Sequence, residues 1–172
     1  DYNLDQTSTE LAINELQNFL NNYPNSEKSK NINELIDELS YKLEFKAYEN
    51  ARQYYKMADY KAANVAFENV LSDFPSTKLA PKIYEYILKS KYELAVNSVY
   101  DLKKDRIENA LAFTKQVERD MPNTENAKTA VDLRNKLSKE KEAFLELEKK
   151  VEARKKELQE KQKEEEARLN LE

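Results

Sequence analysis

One short pattern, met three times, constrains this chain more than anything else in it: Tyr23-Pro24-Asn25-Ser26, Phe74-Pro75-Ser76-Thr77 and Met121-Pro122-Asn123-Thr124. Proline cannot continue a helix, and it drives the residue before it out of helical torsions. The Ser or Thr two places on can accept from the unpaired amides of a new helix start. Each block therefore predicts a corner at which one helix ends and the next begins. Twelve residues before each proline stands an alanine, Ala12, Ala63 and Ala110. Four places after the alanine come Leu16, Phe67 and Thr114, and seven places after it Phe19, Val70 and Val117. A small residue followed at helical spacing by larger ones lets a neighbouring helix approach closely and then fills the groove beyond it.

Helical periodicity extends this into six helices. The first is expected from about Ser8 to Asn22, opened by a Thr7/Glu10 capping box. The second runs from Glu27 to about Met57 along the stripe Ile32, Leu35, Ile36, Leu39, Leu43, Ala47, Ala51, Tyr54 and Ala58. The third covers Tyr60 to Asp73. The fourth spans Lys78 to about Val99, with Pro81 tolerable in its first turn. A polar turn is expected around Asp101 to Lys104, then a fifth helix capped by Asp105, then a sixth capped by Thr124. Thr114 and Glu118 stand where apolar residues belong, which predicts that the last hairpin packs least tightly. Tyr48, Tyr54, Tyr55, Tyr60, Tyr84 and Tyr92 fall at packing spacings and are assigned to the interior rather than to a stacking surface for bases or sugars.

Composition narrows the chemistry. The 172 residues include no glycine, histidine or cysteine, so the chain lacks the usual phosphate-cradling loop, imidazole base, thiol nucleophile and soft metal ligands. Carboxylates are plentiful, yet nothing marks a cleft that would set two of them to acid and base work, and a carboxylate-only hydrolase is the remotest reading. Cofactors are not expected. The formal net charge of -4, with both signs interspersed, gives no field to gather nucleic acid. No apolar run approaches a membrane span. The start at Asp1 and the unpaired first helix suggest an array that continues upstream.

From Ser138 on the sequence holds 10 basic and 11 acidic residues among 35. Glu146/Lys150, Glu152/Lys156, Glu157/Lys161 and Glu164/Arg168 are spaced to support a helix. Leu137, Phe144, Val151 and Leu158 recur every seven residues, but the companion line of Leu133, Glu140, Leu147, Arg154 and Lys161 is only half apolar. The expectation is a protruding helix whose base packs on the last hairpin, with pairing to another chain as the alternative.

Residues 43 to 77 resemble the tetratricopeptide pattern, with Ala47, Tyr54, Ala63, Phe67 and Pro75 at its signature places and alanines where its tryptophan and glycine usually stand. The longer order, DQTST at 5 to 9, then YPNS, ARQYYKMADYKAA and FPST, resembles the BamD family of outer-membrane barrel-assembly lipoproteins over roughly residues 1 to 124. The fold class expected is all-α, a tetratricopeptide-like helical-hairpin solenoid with a long charged C-terminal helix. Its divisions are a repeat region, 1–124 (partial repeat 1–24, repeats 27–75 and 78–122), and a helix, 125–172. Ala12, Pro24, Ala63, Phe67, Pro75, Ala110 and Pro122 form the repeat signature.

The resemblance implies a non-catalytic scaffold on the periplasmic face of the outer membrane, held there by a lipid on an N-terminal cysteine that this chain does not contain. It implies docking to the periplasmic domains of the central barrel-assembly subunit and contact with unfolded barrel precursors. A scaffold that binds peptide tails or partner helices is the alternative. For partner contact the sequence offers Asn97, Lys103, Lys104 and Arg106 as a polar turn between helices.

Overall fold

The structure is a computed structural model that describes residues 1–169. It contains α1 (Thr7–Asn22), α2 (Ser29–Lys56), α3 (Tyr60–Asp73), α4 (Ala80–Val96), α5 (Tyr100–Asp120) and α6 (Glu125–Leu169), with no strand among the described residues. The all-α, helical-hairpin reading agrees with this. The chain divides into two compact units, the first from Asp1 to Leu94 and the second from Ala95 onward.

The three proline corners share one geometry. Tyr23, Phe74 and Met121 have φ/ψ of -132/60, -127/68 and -131/54, the torsions that a following proline imposes. Each closes its helix with an N–H donated four residues back, to Phe19, Val70 and Val117 at 2.8 to 2.9 Å. The hydroxyls then diverge. Thr124 Oγ1 accepts from the Ala127 amide at 3.2 Å and α6 begins at once. Ser26 and Thr77 accept from Lys28 at 3.3 Å and Leu79 at 3.1 Å, but within a preceding turn, so α2 and α4 start two residues later than the sequence suggested.

Two other boundaries differ from expectation. There is no Thr7/Glu10 capping box: Thr7 donates to Asp5, and Gln6 is the N-cap residue without a side-chain cap. Gln6 is instead buried, its amide donating to the carbonyls of Asp1 and Leu4 at 3.0 and 2.8 Å, which folds the first residues against α1. The fifth helix begins at Tyr100, five residues before the expected Asp105 cap, so residues 101–104 are its first turn and not a loop.

Between α2 and α3 the lack of glycine has a visible result. Ala58 adopts φ 58°, a left-handed conformation normally left to glycine, while its amide reaches Tyr55 O and that of Asp59 reaches Tyr54 O, both at 3.0 Å. This pair of bonds is the Schellman closure, and Asp59 then caps α3 through the Ala62 amide at 3.0 Å. An alanine there carries roughly 1–2 kcal/mol of torsional strain.

In the first unit, Ala51, Ala63, Phe67, Ile83 and Ile87 are almost fully buried. Tyr86, which the sequence reading passed over, organises the aromatics: it stacks on Phe67 at 5.2 Å with the rings 9° apart and meets Tyr55 and Tyr48 edge-on at 4.9 and 6.2 Å. Burial pushes the Tyr48 phenol up to about 12, with the neighbouring Tyr86 adding to the shift. Tyr54 is 42% exposed, which corrects its assignment to the interior. In the second unit α5 and α6 pack through Ile107, Ala110, Thr114 and Val117 on one side and Ala130, Leu133, Leu137 and Phe144 on the other.

Candidate protein-docking surface

The corner joining α4 to α5 is Asn97–Val99, a single extended step that α5 follows directly. Asn97 lies in it and is exposed, whereas Lys103, Lys104 and Arg106 stand on the first two turns of α5. They are not a loose polar turn. Lys103 Nζ donates to the carbonyl of Val96 at 3.1 Å and pairs with Glu140 of α6 at 2.5 Å, leaving its side chain only 18% exposed. Lys104 faces Glu148 of α6 at 3.5 Å. Arg106 donates to the Ser98 hydroxyl at 2.9 Å, folding the corner back on α5.

These cations therefore brace the α4–α5 corner and the α5/α6 hairpin. Two more ion pairs continue the series: Glu108 with Lys141 at 2.9 Å, and Glu118 with Arg134. Hydrogen bonds from Lys141 and Arg134 hold the carboxyls of Glu108 and Glu118 below their ordinary 4.5. Because α5 partners from Glu118 back to Lys103 meet α6 partners from Arg134 forward to Glu140 and Glu148, the two helices run antiparallel.

What the same corner leaves open is apolar. Val99 is 67% exposed, Leu102 46% and Tyr100 40%, the last with its ring 5.2 Å from Phe144. The sequence reading missed these residues because it took the segment for a solvated turn; the run Val99, Tyr100, Leu102 ahead of two lysines was the available signal. Exposed apolar side chains framed by fixed charges are the chemistry of a protein contact rather than of catalysis. Among the described residues no group of acidic side chains is arranged to hold a metal ion, and no helix is long and apolar enough to cross a membrane.

A second open surface lies on α1 and the first half of α2. Leu11 is 60% exposed, Tyr23 60% and Leu35 42%, and Phe19, Tyr23 and Pro24 line a shallow depression at the first corner.

Residues 1–101 match the family model YfiO, described as outer membrane lipoprotein. That span takes in α1 to α4 and the first two residues of α5, more than half of the chain. The chain belongs to the YfiO family of outer membrane lipoproteins. The BamD-like resemblance drawn from DQTST, YPNS and FPST agrees with that membership. The match stops short of α6. No curated protein matches the chain.

Proposed function

We propose that this YfiO-family chain is a non-catalytic scaffold of the outer-membrane β-barrel assembly machinery, acting at the periplasmic face and binding the periplasmic domains of the central barrel subunit. The observation that carries the reading is the family match across the helical hairpins of residues 1–101. Geometry supports it. The surface features at the α4–α5 corner are exposed apolar side chains held in place by internal ion pairs, so a partner would meet a preformed patch and little side-chain freedom would be lost on docking. In this reading Asn97, Val99, Leu102 and Lys104 touch the partner, while Lys103 and Arg106 position them.

Co-purification with the periplasmic domains of the same organism's barrel subunit tests it. Val99→Asp with Leu102→Asp is expected to weaken the complex at least tenfold while leaving the circular-dichroism melt unchanged, because both side chains are exposed. Lys103→Glu is expected to lower the melt as well, since it faces Glu140. Failure of the unaltered chain to form any complex overturns the assignment. A complex indifferent to the aspartates overturns only the docking surface.

A further inference from the structure

The line of apolar side chains on α6 outlasts the helix that covers it. Leu137 and Phe144 lie against α5 and are 0% and 5% exposed. Val151 and Leu158 carry the line on at the same seven-residue step, and Leu158 is 47% exposed. The outermost ion pair from α5 is Lys104 with Glu148, close to the start of α5 at Tyr100. Beyond it α5 offers nothing more.

What surrounds the line changes at the same place. Where α5 covers α6, charges beside the seam are answered across it: Glu140 by Lys103, Lys141 by Glu108 and Glu148 by Lys104. Further out, a turn of about 100° per residue sets Arg154, Lys155, Lys161 and Gln162 beside Val151 and Leu158, and points Glu152, Glu160 and Glu164 away from them. That stretch of the face presents apolar, basic and amide groups and no carboxylate. Glu157 stands to one side, where it accepts from Arg154 and Lys161, both at 2.6 Å. Lys155 has no ion pair among the described residues and lines a cleft of about 530 Å³ whose other walls include Tyr100 and Lys104 of α5.

We propose that an amphipathic helix of another protein, apolar on one face with carboxylates along both flanks, docks on residues 151–162, in line with α5 and with its end in the cleft. Its carboxylates meet Arg154, Lys155 and Lys161 as Lys103 of α5 meets Glu140 below, and its apolar side chains cover Val151 and Leu158. A second copy of this chain does not fit, because its own free seam brings the same three cations to the face and no acid. All of α6 lies outside the residues of the family match, and this docking is independent of the barrel-assembly reading.

The probe is a synthetic helical peptide of about three heptads, with leucine at both seam positions and glutamate on both flanks, and a lysine-flanked twin is its control. So short a seam falls at the small end of specific interfaces, and half-binding is expected at roughly tens of micromolar. Fluorescence anisotropy of the peptides, with the whole chain titrated to about 500 µM, covers that range. The glutamate peptide is expected to bind about tenfold more tightly than the lysine one, and to lose several-fold in affinity between about 50 and 500 mM salt. Leu158→Glu is expected to weaken it about tenfold. Lys155→Glu, at a residue with no ion pair to lose, is expected to weaken it about three- to fivefold with the far-UV circular dichroism unchanged. A glutamate peptide that does not bind overturns the proposal, as does equal binding of the two peptides, or indifference to Leu158→Glu or to Lys155→Glu.

Discussion

The α1/α2 and α5/α6 hairpins are built on the same corner, yet one is open and the other closed. Ala110, in α5, is 2% exposed, and four residues on Thr114 is 2% exposed. Their counterparts in α1, Ala12 and Leu16, are only partly covered, and the sole buried residue of α1 is Thr9. From α2, Lys42 donates to the Thr9 hydroxyl of α1 at 3.4 Å and Lys46 donates to the carbonyl of Leu4, just before α1, at 2.6 Å. Between α5 and α6 four ion pairs flank a continuous apolar seam. This reverses the ranking suggested by residue type. Thr114 donates its hydroxyl to Leu111 O of its own helix at 2.7 Å, so its buried polar atom is satisfied and its methyl group packs. Glu118 lies at the edge, paired with Arg134. A corner motif establishes that two helices meet; how tightly they close depends on what lies on their other sides.

The openness of α1 is tested most sharply by truncation at the matching position of α3, which carries the same corner motif. Phe67→Ala, within the first unit's aromatic cluster, is expected to cost about 3–5 kcal/mol in a urea melt. Leu16→Ala, its counterpart in α1, is expected to cost about 1 kcal/mol, since that side chain is only partly covered. Equal losses would mean that α1 is as well packed as α3. Overfilling is the second probe. Ala110→Leu is expected to destabilise by about 1–3 kcal/mol, and Ala12→Leu to change stability by less than about 0.5 kcal/mol.

Buried hydroxyls offer a finer test. Ser90 Oγ in α4 is fully buried without a hydrogen-bond partner, unlike that of Thr114. Ser90→Ala is expected to raise stability by about 1 kcal/mol, whereas Thr114→Val stays near neutral.

The smallest effect is that of pH. Glu108 and Glu118 titrate below 4.5 when folded, so their contribution is present above the unfolded value and is lost as pH falls through the folded values. The protection of α5 amides, measured against the intrinsic exchange rate at each pH, is expected to fall below about pH 4.5 more than that of α1, because the hairpin gives up these two pairs as its carboxylates take up protons. Glu108→Gln with Glu118→Gln is expected to remove that difference.

Much of the fold was legible because proline and the hydroxyl residue after it act locally: the three corners at Pro24, Pro75 and Pro122 need no distant partner to form. What escaped the sequence depended on neighbours. The start of α5 was hidden because Asp101, Lys103 and Lys104 show no apolar period; Lys103 holds that turn by reaching Val96 O and Glu140, one of them far along the chain. The same bonds explain why the proposed contact residues divide into exposed and bracing ones. At the N-terminus, Gln6 gathers carbonyls that a capping box would not have touched. Along α6, Glu152–Lys156 and Glu157–Lys161 pair as spaced, at 4.0 and 2.6 Å, while Glu146 is bonded to Lys149 rather than Lys150. Arg168, and with it the Glu164 pairing, lies outside the described side chains.

Because α6 runs unbroken through 45 residues, the compass bearing of every side chain beyond α5 is set by counting alone. Each residue turns the helix by about 100°, so one insertion between Val151 and Arg154 would swing Leu158 to a different side from Leu147, with no corner in between to take up the error. The same insertion at Ser98 would meet a step in the backbone able to bulge. The rod thus transmits phase from its anchored base to its far end, and its composition can drift far more freely than its length.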